Sequence, residues 1–112
     1  MSDGAWVKGF PAEVTVCDTR GRILEMNDRS IQQFVKYGGK ELLGKNLLDC
    51  HPEPARGMLR EMLEGERSSC YTTEKDGVKK LVYQGPWYQE GRYMGLVEIS
   101  LEIPFEMPHF VR

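Results

Sequence analysis

Two adjacent side chains carry the sharpest chemistry in this chain. Asp49-Cys50-His51 sets a thiol beside an imidazole, directly ahead of a predicted helix. A thiolate near the orphan N–H groups of a helix start is a redox-sensing candidate. A neutral imidazole is a common metal donor and an axial haem ligand. Each has a plainer reading: Cys50 as a buried structural thiol, His51 as a hydrogen-bonded helix cap. Met58 and Met62 fit either an adaptable pocket wall or ordinary core. Tyr83, Trp87 and Tyr93 either wall a ligand pocket or pack as cross-strand pairs. The candidate cofactor-binding residues read directly are therefore His51, Cys50, Met58, Met62, Tyr83 and Trp87, with His51 a metal ligand only if haem is bound.

The element that positions this set is a helix predicted from Pro52 to Glu64. Ala55, Met58, Leu59, Met62 and Leu63 fall on one stripe, as a helix with one buried face requires. Pro52 suits the first helical position, Glu53 suits the positive end of the dipole, and Gly65 is a natural left-handed stop. Gly57 costs about 1 kcal/mol relative to alanine; it is either a tolerated weak spot or a point of close approach.

Upstream, Glu13–Asp18 alternates and reads as a strand. Asp18-Thr19-Arg20-Gly21 is a turn, and Arg22–Met26 returns. Asn27 or Asp28 caps a short helix to about Val35. Tyr37-Gly38-Gly39 breaks it, and Lys40–Leu43 forms one more turn. Downstream the period becomes two. Ser69–Lys75 is a strand, Asp76-Gly77 a hairpin turn, and Val78–Tyr88 a long strand whose Gly85-Pro86 implies an edge or a bulge. Arg92–Ile103 is the last strand. Val97, Ile99, Leu101 and Ile103 face one way; Glu98, Ser100 and Glu102 face the other. Either row can be the buried one.

With 112 residues, the chain fits one domain with one core. It is 40% hydrophobic and 29% charged, an ordinary globular balance. The net charge of −2 and the pI near 5.7 argue against nucleic acid or an anionic membrane as the main partner. Met1–Phe10 carries no secretory apolar region, and three cysteines cannot all pair internally. The expectation is a cytoplasmic protein with reduced thiols. There is no glycine-rich phosphate loop, no nucleophile elbow and no recognisable acid–base pair, so no enzyme is expected. The order β-β, short helices, one longer helix, β-β-β gives an α+β domain with a five-stranded antiparallel sheet and helices on one face.

This layout resembles a PAS domain over about Ala12–Ile103. The carriers are VTVCDTRGRILEMN, Asn27 with Phe34 in the next helix, the LLGKNLLD turn, and GRYMGLVEISLEI in the last strand. The Cys-His-Pro corner and GRYMGLVEIS are similar to PAS domains found beside hemerythrin-like regions. The resemblance implies a sheet order of 2-1-5-4-3, an N-terminal arm at 1–11, a sensor domain at 12–104 and a tail at 105–112. It also implies a pocket between the central helix and the sheet. The implied function is a sensory module holding a small ligand or cofactor, haem among them. Partners are a small molecule, a second copy of the chain and a signalling protein. The alternatives are a ligand-free dimerisation module and a cysteine redox switch. Light-sensing relatives carry a Gly-x-Asn-Cys turn; this chain has Gly44-Lys45-Asn46-Leu47, which makes flavin less favoured than haem. By analogy with the family, Ser100 faces the pocket and joins the candidate cofactor set, while Val97, Ile99 and Leu101 face outward and need cover.

Overall fold

A computed structural model describes residues 4–112; the first three residues of the predicted arm lie outside the described residues. Five strands, β1 (Glu13–Cys17), β2 (Ile23–Met26), β3 (Ser69–Lys75), β4 (Val78–Gln89) and β5 (Arg92–Ile103), form one antiparallel sheet. Its order is β2-β1-β5-β4-β3, as expected. The helices are short: α1 (Ala5–Lys8), α2 (Asp28–Gln33), α3 (Leu47–Cys50) and α4 (Ala55–Gly65), with 3-10 turns at Val35–Tyr37 and Gly39–Leu42.

The first hairpin closes through Asp18, whose Oδ1 accepts from the Arg20 and Arg22 backbone N–H groups at 2.9 Å each. Gly21 sits at φ +89°, and a Cβ there would crowd Asn46 Oδ1. That closeness lets Asn46 tie the hairpin to the next helix. Its Nδ2 donates to Arg20 O at 2.9 Å, and its Oδ1 caps α3 by accepting from Leu48 N at 2.8 Å. Asn27 does more than cap α2. Its Oδ1 accepts from Ser30 N and Val14 N, and its Nδ2 donates to Ala12 O at 2.7 Å and Val7 O at 3.0 Å. One buried amide thus joins the arm, β1 and α2.

The predicted helix start at Pro52 is corrected to Ala55. The residue before a proline is driven out of the helical region by the ring, so Glu53 cannot continue into Pro54 as helix. α4 begins at Ala55 with Pro54 as N-cap. Glu53 still serves the helix start: its Oε1 accepts from Gly57 N at 2.9 Å. A Cβ at Gly57 would stand 3.1 Å from that oxygen, so this glycine is a point of close approach. Gly65 stays helical, and the left-handed stop is Glu66 at φ 50°. Arg67 N then closes on Met62 O at 3.1 Å.

The core joins Cys17 of β1 and Leu96 of β5 to Leu59 and Leu63 of α4, with Leu47, Leu48 and Met62 packed around them. This settles which row of β5 faces the helices. Leu96 and Ser100 are buried on the inner face. Ser100 pairs with Glu13 and Val82, and Glu98 with Thr15 and Gln84, so these residues share that face. Val97, Ile99 and Leu101 point outward. The Thr15 and Ser30 hydroxyls bond each other and seat α2 on the inner side; a one-residue slip would reverse every side chain. Pro86 is where its chemistry allows. β3 stops pairing at Ser69–Gln84, so Pro86 bonds only toward Leu96 of β5.

Candidate functional site

The inner face of β5 presents Glu98, Ser100 and Glu102 in succession. β1 contributes Thr15 and Glu13 beside them, and β4 contributes Gln84 and Lys80. Burial pushes the Glu98 carboxyl above its ordinary range. The His51 charge opposes that rise, Glu13 adds to it, and a hydrogen bond from the Gln84 side chain opposes it. His51 Nδ1 lies 2.7 Å from Leu47 O. A carbonyl only accepts, so Nδ1 is the donor in this bond.

At the open end of this row, Lys80 Nζ meets Glu13 Oε2 at 2.8 Å, with both side chains largely covered. A cleft of about 310 Å³ opens there, lined among others by Glu13, Arg29, Lys80, Ser100 and Glu102. Its floor is strand β5 and one wall is the first turn of α2. Such a lining binds through charge and hydrogen bonds.

The opposite face carries a larger, apolar cleft of about 530 Å³. Trp6, Val7 and Phe10 of the arm overhang Val14, Val16, Val97 and Ile99. Trp6 and Phe10 pack edge to face at 5.8 Å, and Trp6 is nonetheless 72% exposed.

The candidate cofactor set divides across these surfaces. His51 and Ser100 lie on the inner face. Met62 packs against the core. Met58 is 62% exposed and Tyr83 is 47% exposed, and Tyr83 pairs with Ile99 on the outward row. Neither walls a space between helix and sheet. Trp87 is a structural tie: its Nε1 donates to Cys17 O at 3.1 Å, binding β4 to the end of β1. Cys50 corrects the premise made for it. It is the last residue of α3, not a residue ahead of a helix start, and the dipole end beside it is negative. Its thiol is exposed and donates to Asn46 O at 3.5 Å. Cys17 is the buried thiol, and burial pushes it up.

His51 is the C-cap residue of α3, so the plainer of its two readings describes it. No group of three or more His, Cys, Asp or Glu among the described residues could hold a metal ion. His51 lines neither cleft, and the apolar cleft contains no His or Cys; these residues do not fit haem. The residues missed were Glu98, Glu102, Gln84, Glu13, Lys80 and Arg29; the polar phase of β5, in step with Ser100, was a signal for Glu98 and Glu102 alone.

A five-stranded sheet of this order, with α2, α3 and α4 over its inner face, defines the class as an α+β domain. The PAS fold family matches residues 7–103, and the chain belongs to that family. No curated protein matches it. Solved structures share the fold. A sensory box sensor histidine kinase from Vibrio cholerae is 16% identical, with TM-score 0.64, over 89% of this chain and 87% of that one. The PAS domain of an HTR-like protein from Haloarcula marismortui is 21% identical, with TM-score 0.61, over 88% and 92%. A receptor from Vibrio cholerae, described as a dual PAS-heme oxygen sensor, is 20% identical, with TM-score 0.59, over 88% and 99%.

Proposed function

We propose that this chain is a non-enzymatic sensory module that reads a small polar molecule on the inner face of its sheet. One observation carries the reading: the inner row of β5 is Glu98, Ser100 and Glu102, where a closed, purely structural core would place apolar residues. Ser100 is buried there, Glu98 is half-buried and Glu102 is exposed, so the row presents hydrogen-bonding groups that a polar ligand can meet where an apolar one would desolvate them at a cost. The site lies beside α2 and the Cys50-His51 corner. The one haem-binding relative named above is a likeness of fold, and the mismatch at His51 turns the reading away from haem. No described helix is long and apolar enough to cross a membrane. A cytoplasmic module, working beside a hemerythrin-like region and passing its signal to a partner protein, completes the proposal.

The test is native mass spectrometry after incubation with a metabolite extract, followed by hydrogen exchange on the complex. A retained compound should protect β4, β5 and α2, and Ser100→Leu, which fills the floor, should lose it while keeping the wild-type circular dichroism. No retained compound, or protection confined to the outward face, would sink the reading.

A second reading has its own observation. The outward apolar cleft under α1 suits a homodimer that forms without any ligand. The two readings use opposite faces of the sheet, and both fit one molecule.

A further inference from the structure

The charged cleft at the end of the inner row has a composition that selects a ligand class. Its lining holds two basic groups, Arg29 and Lys80, and two acidic groups, Glu13 and Glu102. One of each sign is already committed, because Lys80 and Glu13 pair at 2.8 Å. The other ion pair among the described residues is Lys8 with Asp28, so Arg29 and Glu102 enter neither pair. The cleft thus offers the Arg29 guanidinium from α2, the Glu102 carboxylate from β5, and the buried Ser100 hydroxyl on the same strand as Glu102.

We propose that this cleft binds a small zwitterion of the α-amino acid type, its carboxylate on Arg29 and its ammonium on Glu102. The inference rests on the sensor reading above and names its ligand. The charge balance excludes simpler ligands. An anion would satisfy Arg29 but face Glu102, with Glu13 close behind. A cation would satisfy Glu102 but face Arg29. A zwitterion meets both charges and leaves the site neutral. Arginine is the apt anchor, since its planar fork takes a carboxylate through two parallel hydrogen bonds. Size agrees: at about 30 Å³ for each water-sized group, 310 Å³ holds a ligand on the order of ten heavy atoms. Ser100, on the floor, can donate to the carboxylate or accept from the ammonium.

The experiment is isothermal titration of the full chain with free α-amino acids taken singly. Matched probes lack one charge: the des-amino acid lacks the ammonium, and the methyl ester lacks the carboxylate. At least one amino acid should bind, with both matched probes weaker by about tenfold or more. Arg29→Gln and Glu102→Gln should each weaken the amino acid to a similar degree. Both side chains are exposed, so both variants should keep the wild-type circular dichroism and melting curve. Equal binding of the des-amino acid or the ester overturns the inference, and so does indifference to either variant. In those cases the sensor reading stands, because a ligand binds. If no amino acid binds while a compound of another class is retained from the metabolite extract, the inference alone falls. If neither experiment finds a ligand, both fall.

Discussion

At the scale of single residues, Glu98 concentrates the electrostatics of the inner face. Burial raises its carboxyl above the ordinary 4.5, and the nearby His51 charge holds that rise down. Removing the imidazole should therefore lift the carboxyl further. In a carbon-detected NMR titration, Glu98 should titrate above 4.5 in the wild type and higher still in His51→Ala. A wild-type midpoint at or below the ordinary value would refute this account. The linkage to stability follows from which state holds the proton. A carboxyl whose folded pKa is raised binds more protons folded than unfolded, so stability falls as pH rises from the ordinary value through the folded one. Glu98→Gln lacks that decline. Its stability relative to wild type should grow across this window and level off above it; a difference flat with pH would count against the burial. The sequence showed Ser100 and His51 as residues of interest, but not Glu98. An alternating strand does not say which phase is inside, and a glutamate reads as solvent-facing by default.

At the scale of elements, the short segments are held by side chains more than by their own helical propensity. Four-residue and six-residue helices such as α1 and α2 are too short to persist alone in water. Asn27, only 5% exposed, supplies what they lack. Its replacement by alanine removes an N-cap and strands buried backbone groups of Val14 and Ala12. The cost should be on the order of 3 kcal/mol in urea unfolding, and a loss below about 1 kcal/mol would show that the network is redundant. Asn27→Asp separates the two roles. It keeps the accepting oxygen for Ser30 and Val14 but loses the donor to Val7 and Ala12, so α1 should lose hydrogen-exchange protection while α2 keeps its own. The capping role was legible, because Asn before a periodic apolar run is a helix start. The link to the arm was not, because it spans 15 to 20 positions. The start of α4 at Ala55 rather than Pro52 has a local cause: the apolar stripe begins only at Ala55, and Pro54 holds Glu53 out of the helical region.

At the scale of the whole molecule, the sheet has helices over its inner face and only the four-residue α1 near its outer one. Sheet order and strand pairing were legible from alternation, turn signals and the family likeness. Alternation alone left the buried face of β5 open; the family likeness pointed to the Ser100 row, and the burial of Ser100 and the inner seat of α2 agree with it. The consequence is an outward surface carrying Val14, Val16, Val97 and Ile99, only partly roofed by Trp6 and Phe10. Removing apolar surface from water returns about 25 cal/mol for each Å², less the cost of association and side-chain ordering. A second copy of the same face is the simplest cover, because a two-fold pair closes on itself. The chain should therefore dimerise reversibly, with light scattering across a dilution series giving a mass that falls toward 12.9 kDa. Ile99→Glu places a charge in the middle of the surface and should weaken the dimer by at least about tenfold. Trp6→Ala should weaken it too, because that indole is 72% exposed in the single chain and would be covered in the pair. Neither change touches the inner face, so ligand affinity should survive both. A chain that stays monomeric at high concentration would end the proposal, as would a folded Ile99→Glu variant that pairs like the wild type.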